Sequence, residues 1–210
     1  MTAIPDQHLR RHTLPEYLAF EEASELKHEF HAGEVLAMSG ASPEHSLITA
    51  NAIAALHAGL AGSPCRIYSS DLKIYSPATD RVCYPDSSII CGPIQFHPGD
   101  EKRRLVINPR VIIEVLSSTT EAYDRGDKFR DYRTIATFEE YVLISQTRAM
   151  IETFARQADG QWIIAATYAG LDAVALIRCL ALKVKLSDIY EGVEFPAKAP
   201  SPDPRENEPF

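Results

Sequence analysis

Six consecutive residues, Val111-Ile112-Ile113-Glu114-Val115-Leu116, constrain what this 210-residue chain can fold into more than any other segment. An apolar run of that length, rich in β-branched side chains and preceded by Asn108-Pro109, reads as a strand buried on both faces. An ionised carboxylate inside such a strand costs several kcal/mol or more unless a cation or hydrogen bonds compensate it. Glu114 therefore needs a partner. A second acid, Asp86, follows Pro85 at the head of another short strand, 87–91. Carboxylates on adjacent strands can each give an oxygen to one divalent ion and leave the backbone ladder intact. Taken singly, each acid also fits a plainer role: Glu114 in an ion pair with Arg or Lys, and Asp86 as a polar residue at a strand edge.

The rest of the chain reads as alternating helices and strands. Thr13 with Glu16 makes a capping box for a helix over 15–23. Segments 27–30 and 34–38 form a strand pair turning at Gly33. Ser42-Pro43 starts a long helix in which Leu47, Ile48, Ile53, Leu56 and Leu60 recur at helical spacing, until Gly62 and Pro64 end it. Strands follow at 65–69, 72–76, 87–91 and 111–116. The insert 92–109, with Pro93, Pro98, Gly99 and the mixed charge run 100–104, reads as a solvated loop. A helix over 121–135 turns Phe129, Tyr132 and Ile135 inward, and strands at 141–145, 150–155 and 162–168 complete the pattern. The expected organisation is an N-terminal arm (1–12), one α/β domain (13–195) and a disordered tail (196–210) without the apolar content to fold.

Composition limits the function. A formal net charge of −8 argues against coating nucleic acid with a broad basic face, so any DNA contact must be local, through residues such as Arg103, Arg104, Arg125 and Arg130. No apolar run is long enough to span a bilayer, and the polar start lacks the apolar core of a secretory signal, so a cytoplasmic protein with no membrane partner is expected. Cys65, Cys83, Cys91 and Cys179 form no C-x-x-C pair; they read as reduced, mostly buried thiols rather than a zinc knuckle or redox motif. The histidines of His28-Glu29-Phe30-His31 are three apart, not the four a helical zinc protease motif needs. Ser24-Glu25-Leu26-Lys27 and Ser70-Asp71-Leu72-Lys73 match S-x-x-K without its companion motifs.

The element order, with Asp86 and Glu114 at those two places, resembles the PD-(D/E)XK nuclease core. Glu29-Phe30-His31-Ala32-Gly33-Glu34, Ser42-Pro43-Glu44-His45, Tyr84-Pro85-Asp86, Glu114-Val115-Leu116-Ser117 and Asp124 with Lys128 and Tyr132 resemble, more closely, the Uma-two-type restriction-endonuclease family. The resemblance runs from about residue 14 to 193. It implies a restriction-endonuclease-like core with a central mixed sheet flanked by helices, and Mg²⁺- or Mn²⁺-dependent hydrolysis of DNA phosphodiester bonds. Asp86, Glu114 and the Val115 carbonyl would hold the metal, and Glu29 and His45 would line the same cleft. One position departs from the motif: a lysine belongs two places after the glutamate, where this chain has Leu116. Lys128 is the expected substitute, sharing a helix face with Asp124 and Tyr132, although the spacing equally fits a simple Asp124–Lys128 pair; Lys73 is a weaker one. A homodimer would supply two sites for two DNA strands. The competing function is a catalytically silent DNA-binding or toxin-partner module on the same fold.

Overall fold

The computed structural model describes residues 11–38 and 40–195. Most of the expected arm and all of the expected tail lie outside the described residues. Helix α1 (Leu14–Ala23) starts at Thr13, whose hydroxyl accepts from the Glu16 amide at 3.4 Å while the Glu16 carboxylate accepts from the Thr13 amide at 2.8 Å. Strands β1 (His28–His31) and β2 (Glu34–Ala37) pair antiparallel across Ala32-Gly33; Gly33 takes φ +105°, a conformation only glycine adopts freely. Helix α2 (Pro43–Gly59) is capped by Ser42, which accepts from the His45 amide at 3.2 Å.

Seven strands then build most of the sheets: β3 (Cys65–Ser69), β4 (Lys73–Ser76), β5 (Arg81–Cys83), β6 (Ser87–Cys91), β7 (Leu105–Val106), β8 (Val111–Leu116) and β9 (Glu140–Ser145). They are joined by β10 (Met150–Arg156), β11 (Trp162–Ala169), β12 (Val174–Ile177) and β13 (Leu182–Lys185). The main sheet has the order β11-β10-β9-β8-β6-β3, mixed because β8 and β9 run parallel and the other neighbours antiparallel. A second sheet, β2-β1-β5-β4-β7, holds the hairpin, and β12 pairs with β13. Between β8 and β9 the chain passes through α3 (Glu121–Tyr123), a π-helical turn (Asp124–Lys128) and α4 (Phe129–Tyr132); α5 (Leu186–Ile189) follows β13. Among the described residues no helix is long and apolar enough to cross a membrane.

All six residues of β8 are buried, so the side-chain alternation of a strand divides them between two cores. Val111, Ile113 and Val115 pack with Ile48 and Leu56 of α2 and Leu186 and Ile189 of α5. Ile112 and Leu116 pack with Phe129 and Tyr132 beside Tyr141 and Leu143. Glu114 shares the second face. The mixed sheet flanked by helices is thus the expected α/β architecture, with its acid turned toward the α3–α4 segment.

Three expectations are corrected. The insert 92–109 is not a solvated loop, because β7 is buried and pairs parallel with β4. Asp100, only 4% exposed, organises it by accepting from the Leu105 amide at 2.7 Å, from the Arg104 amide and from the Arg104 guanidinium. A charge run looks solvated in sequence, yet one carboxylate can satisfy several amides of a turn. Asp100→Ala strands those donors, and we expect it to cost about 1–3 kcal/mol, read as a lower urea midpoint. Secondly, the helix over 121–135 is interrupted by the π turn and ends at Tyr132. Thirdly, Cys65 and Cys91 are joined in a disulfide, because antiparallel β3 and β6 set them directly opposite each other. Cys83 and Cys179 are free thiols. The expectation of four reduced thiols therefore holds for two of them. Short β5, β12, β13 and α5 were not foreseen.

Candidate active site

Regular pairing of β6 with β8 stops at Ser87 and Ile113. Beyond that point side chains continue it. The Asp86 amide donates to Glu114 Oε2 at 3.1 Å, and Asp86 Oδ2 accepts from the Val115 amide at 2.7 Å. The two acids therefore meet at the fork where the strands separate, tied through each other's main chain, in a cavity of about 730 Å³ that also exposes Glu29, His45, Asp124 and Lys128.

Lys128 is the hub. Its ammonium is 5% exposed as a residue and lies 2.9 Å from Glu114 Oε1, 3.5 Å from Glu29 Oε1 and 3.5 Å from Asp124 Oδ1. The π turn lays Asp124 and Lys128 on the sheet-facing side, and the Tyr132 hydroxyl, one turn on, reaches Glu114 Oε1 at 3.3 Å. Both alternatives for Lys128 are thus present in one arrangement, the pair with Asp124 and the contact with Glu114. Lys73 sits over the Tyr84 ring instead, 5.1 Å from its centroid.

Glu29 reaches the cavity because β1 alternates, with Phe30 buried beside α1 and Glu29 and His31 on the other face. Its Oε2 accepts from the Tyr123 hydroxyl at 2.8 Å. His45, held at the start of α2 by its Ser42 cap, places Nε2 3.2 Å from Asp86 Oδ2. All five side chains nominated by sequence converge. The nominated arginines do not line the cavity: Arg104 pairs with Asp100 and Glu22, Arg125 with Glu121 and Glu152, Arg130 with Asp127, and Arg103 stacks on Phe96. The cavity's own basic side chains are Lys27, His31, His45 and Lys128. Asp124, Tyr123 and His31 were not nominated; His31 had a period-two signal, two residues from Glu29 on one strand face.

The charges do not balance. Three carboxylates surround the Lys128 ammonium with Asp86 as a fourth acid in the same cavity, and burial holds Glu114 well above its ordinary range, with Asp124 and Asp86 adding to that against the opposing pull of Lys128. Asp124 is raised for the same reason, burial first. Glu29 escapes: burial would raise it, but Lys128, with hydrogen bonds from His31 and Tyr123, holds it down to about 2. Burial alone would discharge Lys128, yet Glu114, Glu29 and Asp124 keep it firmly protonated. Burial also opposes charge on His45, but Asp86 and the Val115 backbone raise its pKa. The cluster is a set of hard oxygen donors short of positive charge, which is the chemistry a divalent cation satisfies. The residues fit such an ion: Asp86 and Glu114 first, with the Val115 backbone beside them.

Residues 14–187 match the Uma2 family, described as "Putative restriction endonuclease". The protein slr1290 of Synechocystis sp. is 36% identical over 181 residues, which is 86% of this chain and 92% of that protein. A second Synechocystis sp. protein, sll1609, is 34% identical over 152 residues, 72% of this chain and 85% of its own length. A crystal structure from Anabaena variabilis, described as a putative nuclease belonging to DUF820, superposes with a TM-score of 0.67 over 85% of this chain and 97% of that one, at 17% identity. That likeness carries the fold. The extent of the family match, together with two relatives above one-third identity, makes this chain a member of the Uma2 family.

Proposed function

We propose that this protein is a Mg²⁺- or Mn²⁺-dependent DNA endonuclease whose centre is the fork between β6 and β8. The observation that carries this reading is the convergence of Asp86 and Glu114, acids from adjacent strands, on one charge-deficient cavity served by a buried lysine. When bound there, a divalent cation supplies Lewis-acid polarisation of the phosphoryl group and lowers the pKa of the attacking water. Asp86 and Glu114 hold it. Lys128 fixes the Glu114 carboxylate from the helix side and presents positive charge toward the phosphate, the role of the lysine missing at position 116. His45, with its proton held against Asp86, is placed to pass that proton to the departing oxygen. Two such sites, which a two-fold homodimer supplies most simply, would cut both strands of a duplex.

The test is nicking of supercoiled plasmid with and without Mg²⁺ or Mn²⁺, beside the melting temperature under the same conditions. Nicking and a raised Tm support the reading. A chain that binds DNA yet neither nicks nor responds to cation would be the silent module instead. Because the cavity holds few cations and the protein is acidic, DNA affinity is expected to be weak. It should fall about tenfold or more between 50 and 200 mM salt. Tight, salt-indifferent binding would contradict a phosphate-reading site.

A further inference from the structure

Behind the fork, a second constellation has different donor chemistry. A Glu29 carboxylate oxygen, a His31 ring nitrogen and Cys83 Sγ lie within 4.8 Å of one another. Glu29 and Cys83 are buried, and the His31 side chain is 11% exposed. The carboxylate and imidazole atoms are already 3.3 Å apart. Into their midst projects the Tyr123 hydroxyl, 2.8 Å from Glu29 Oε2, 2.7 Å from His31 Nε2 and 3.9 Å from Cys83 Sγ. The placement follows from pairing: β1 lies against β5, with Phe30 opposite Val82, so Cys83 follows within one residue of the strand carrying Glu29 and His31.

We propose that Glu29, His31, Cys83 and Tyr123 form a site for a borderline-soft divalent transition ion of the Zn²⁺ class, distinct from the oxygen-donor site at Asp86 and Glu114. Three observations support it. Tetrahedral Zn²⁺ with bonds of about 2.0–2.3 Å sets its ligand atoms roughly 3.3–3.8 Å apart, so these donors need only a small side-chain rotation to close on an ion. The donor types, one thiol, one imidazole and one carboxylate, select zinc-like ions over Mg²⁺, which takes oxygen. Charge also balances, since a dication meets one carboxylate and one thiolate, and the thiol proton leaves to solvent as the metal–sulfur bond forms. His31 binds through Nε2 with its proton on Nδ1, and the Tyr123 oxygen takes the fourth place. Glu29 can serve both sites because its oxygens face opposite ways, Oε1 toward Lys128 and Oε2 toward Tyr123.

The experiment is titration of the full-length, metal-stripped protein with Co²⁺, read by optical absorption. A thiolate-to-cobalt charge-transfer band in the near ultraviolet, saturating at one equivalent and displaced by Zn²⁺, is expected. The band should vanish in Cys83→Ser and weaken strongly in His31→Gln, a partly exposed position that spares the core if Cys83→Ser fails to fold. It should persist in Cys179→Ser and in Asp86→Asn. No band in the parent protein, or a full band in both Cys83→Ser and His31→Gln, overturns the proposal. The readout needs no nuclease activity, so its failure and failure of the nuclease reading are separately visible.

Discussion

On the proposed metal-dependent mechanism, Asp86→Asn is expected to lower Mg²⁺-dependent plasmid nicking on the order of 10³-fold, the upper range for loss of one strong electrostatic element in a buried site. The same variant should lose its response to cation in thermal melts. An ion that binds only the folded state stabilises it by about 2.7 kcal/mol when present at one hundred times its Kd. Parent protein should show a gain of that order at saturating Mg²⁺, and Asp86→Asn none. Asparagine keeps an oxygen able to accept from the Val115 amide, the 2.7 Å contact that closes the strand fork, so the fold without metal stays close to the parent. Glu114→Gln should match it in activity. Nicking at the parental rate by either variant would remove the fork from the mechanism.

Lys128→Met has the second large effect, and it falls on stability first. Methionine preserves much of the apolar stem but leaves Glu29, Glu114 and Asp124 around a buried point with no cation. Removing one partner of a buried charge cluster costs about 3–5 kcal/mol, because the remaining charges stay desolvated. The sign with pH can be worked out from Glu29. Its folded pKa, held down to about 2 mainly against burial by Lys128, contributes stability that is present above the unfolded carboxylate range and lost as pH falls through the folded value. Without Lys128 that contribution vanishes. The deficit of the variant is therefore greatest near neutrality and shrinks as the carboxyls take up protons below about pH 4–5. Denaturation at pH 7.5 and close to the folded value, at about pH 2.5, measures it. An equal deficit at both would mean that Lys128 acts through packing alone.

Much of this site was legible because solvation leaves a mark in sequence. Glu114 stands out within six residues that otherwise avoid water, and Asp86 stands where a proline starts the neighbouring strand. Burial alone was not sufficient. Glu140 of β9 is fully buried too, yet its carboxylate accepts from the Arg178 and Cys179 amides at 3.0 and 2.9 Å, a purely structural duty. Element order and the surrounding motifs are what mark Glu114, while Glu140 lies just outside the expected strand 141–145. The unread parts depend on contacts between distant segments. Tyr123 meets Glu29 across 94 positions, Cys65 meets Cys91 only through strand register, and β7 is ordered by Asp100 rather than by apolar pattern. Nor does helical periodicity announce a π turn, which shifts Asp124 and Lys128 relative to the helix on either side.

The cation beside Glu114 stands on the helical segment rather than on the strand. With Leu116 at the strand position, β8 is apolar apart from Glu114, and its residues rest on packing against both cores. The ammonium comes instead from the segment carrying Asp124, Lys128 and Tyr132, which Asp131 also fastens to Arg81 of β5 at 2.6 Å. Charge pairing at Glu114 therefore depends on how that segment is seated, and the lysine is held in place by the fold itself through Glu114, Glu29 and Asp124.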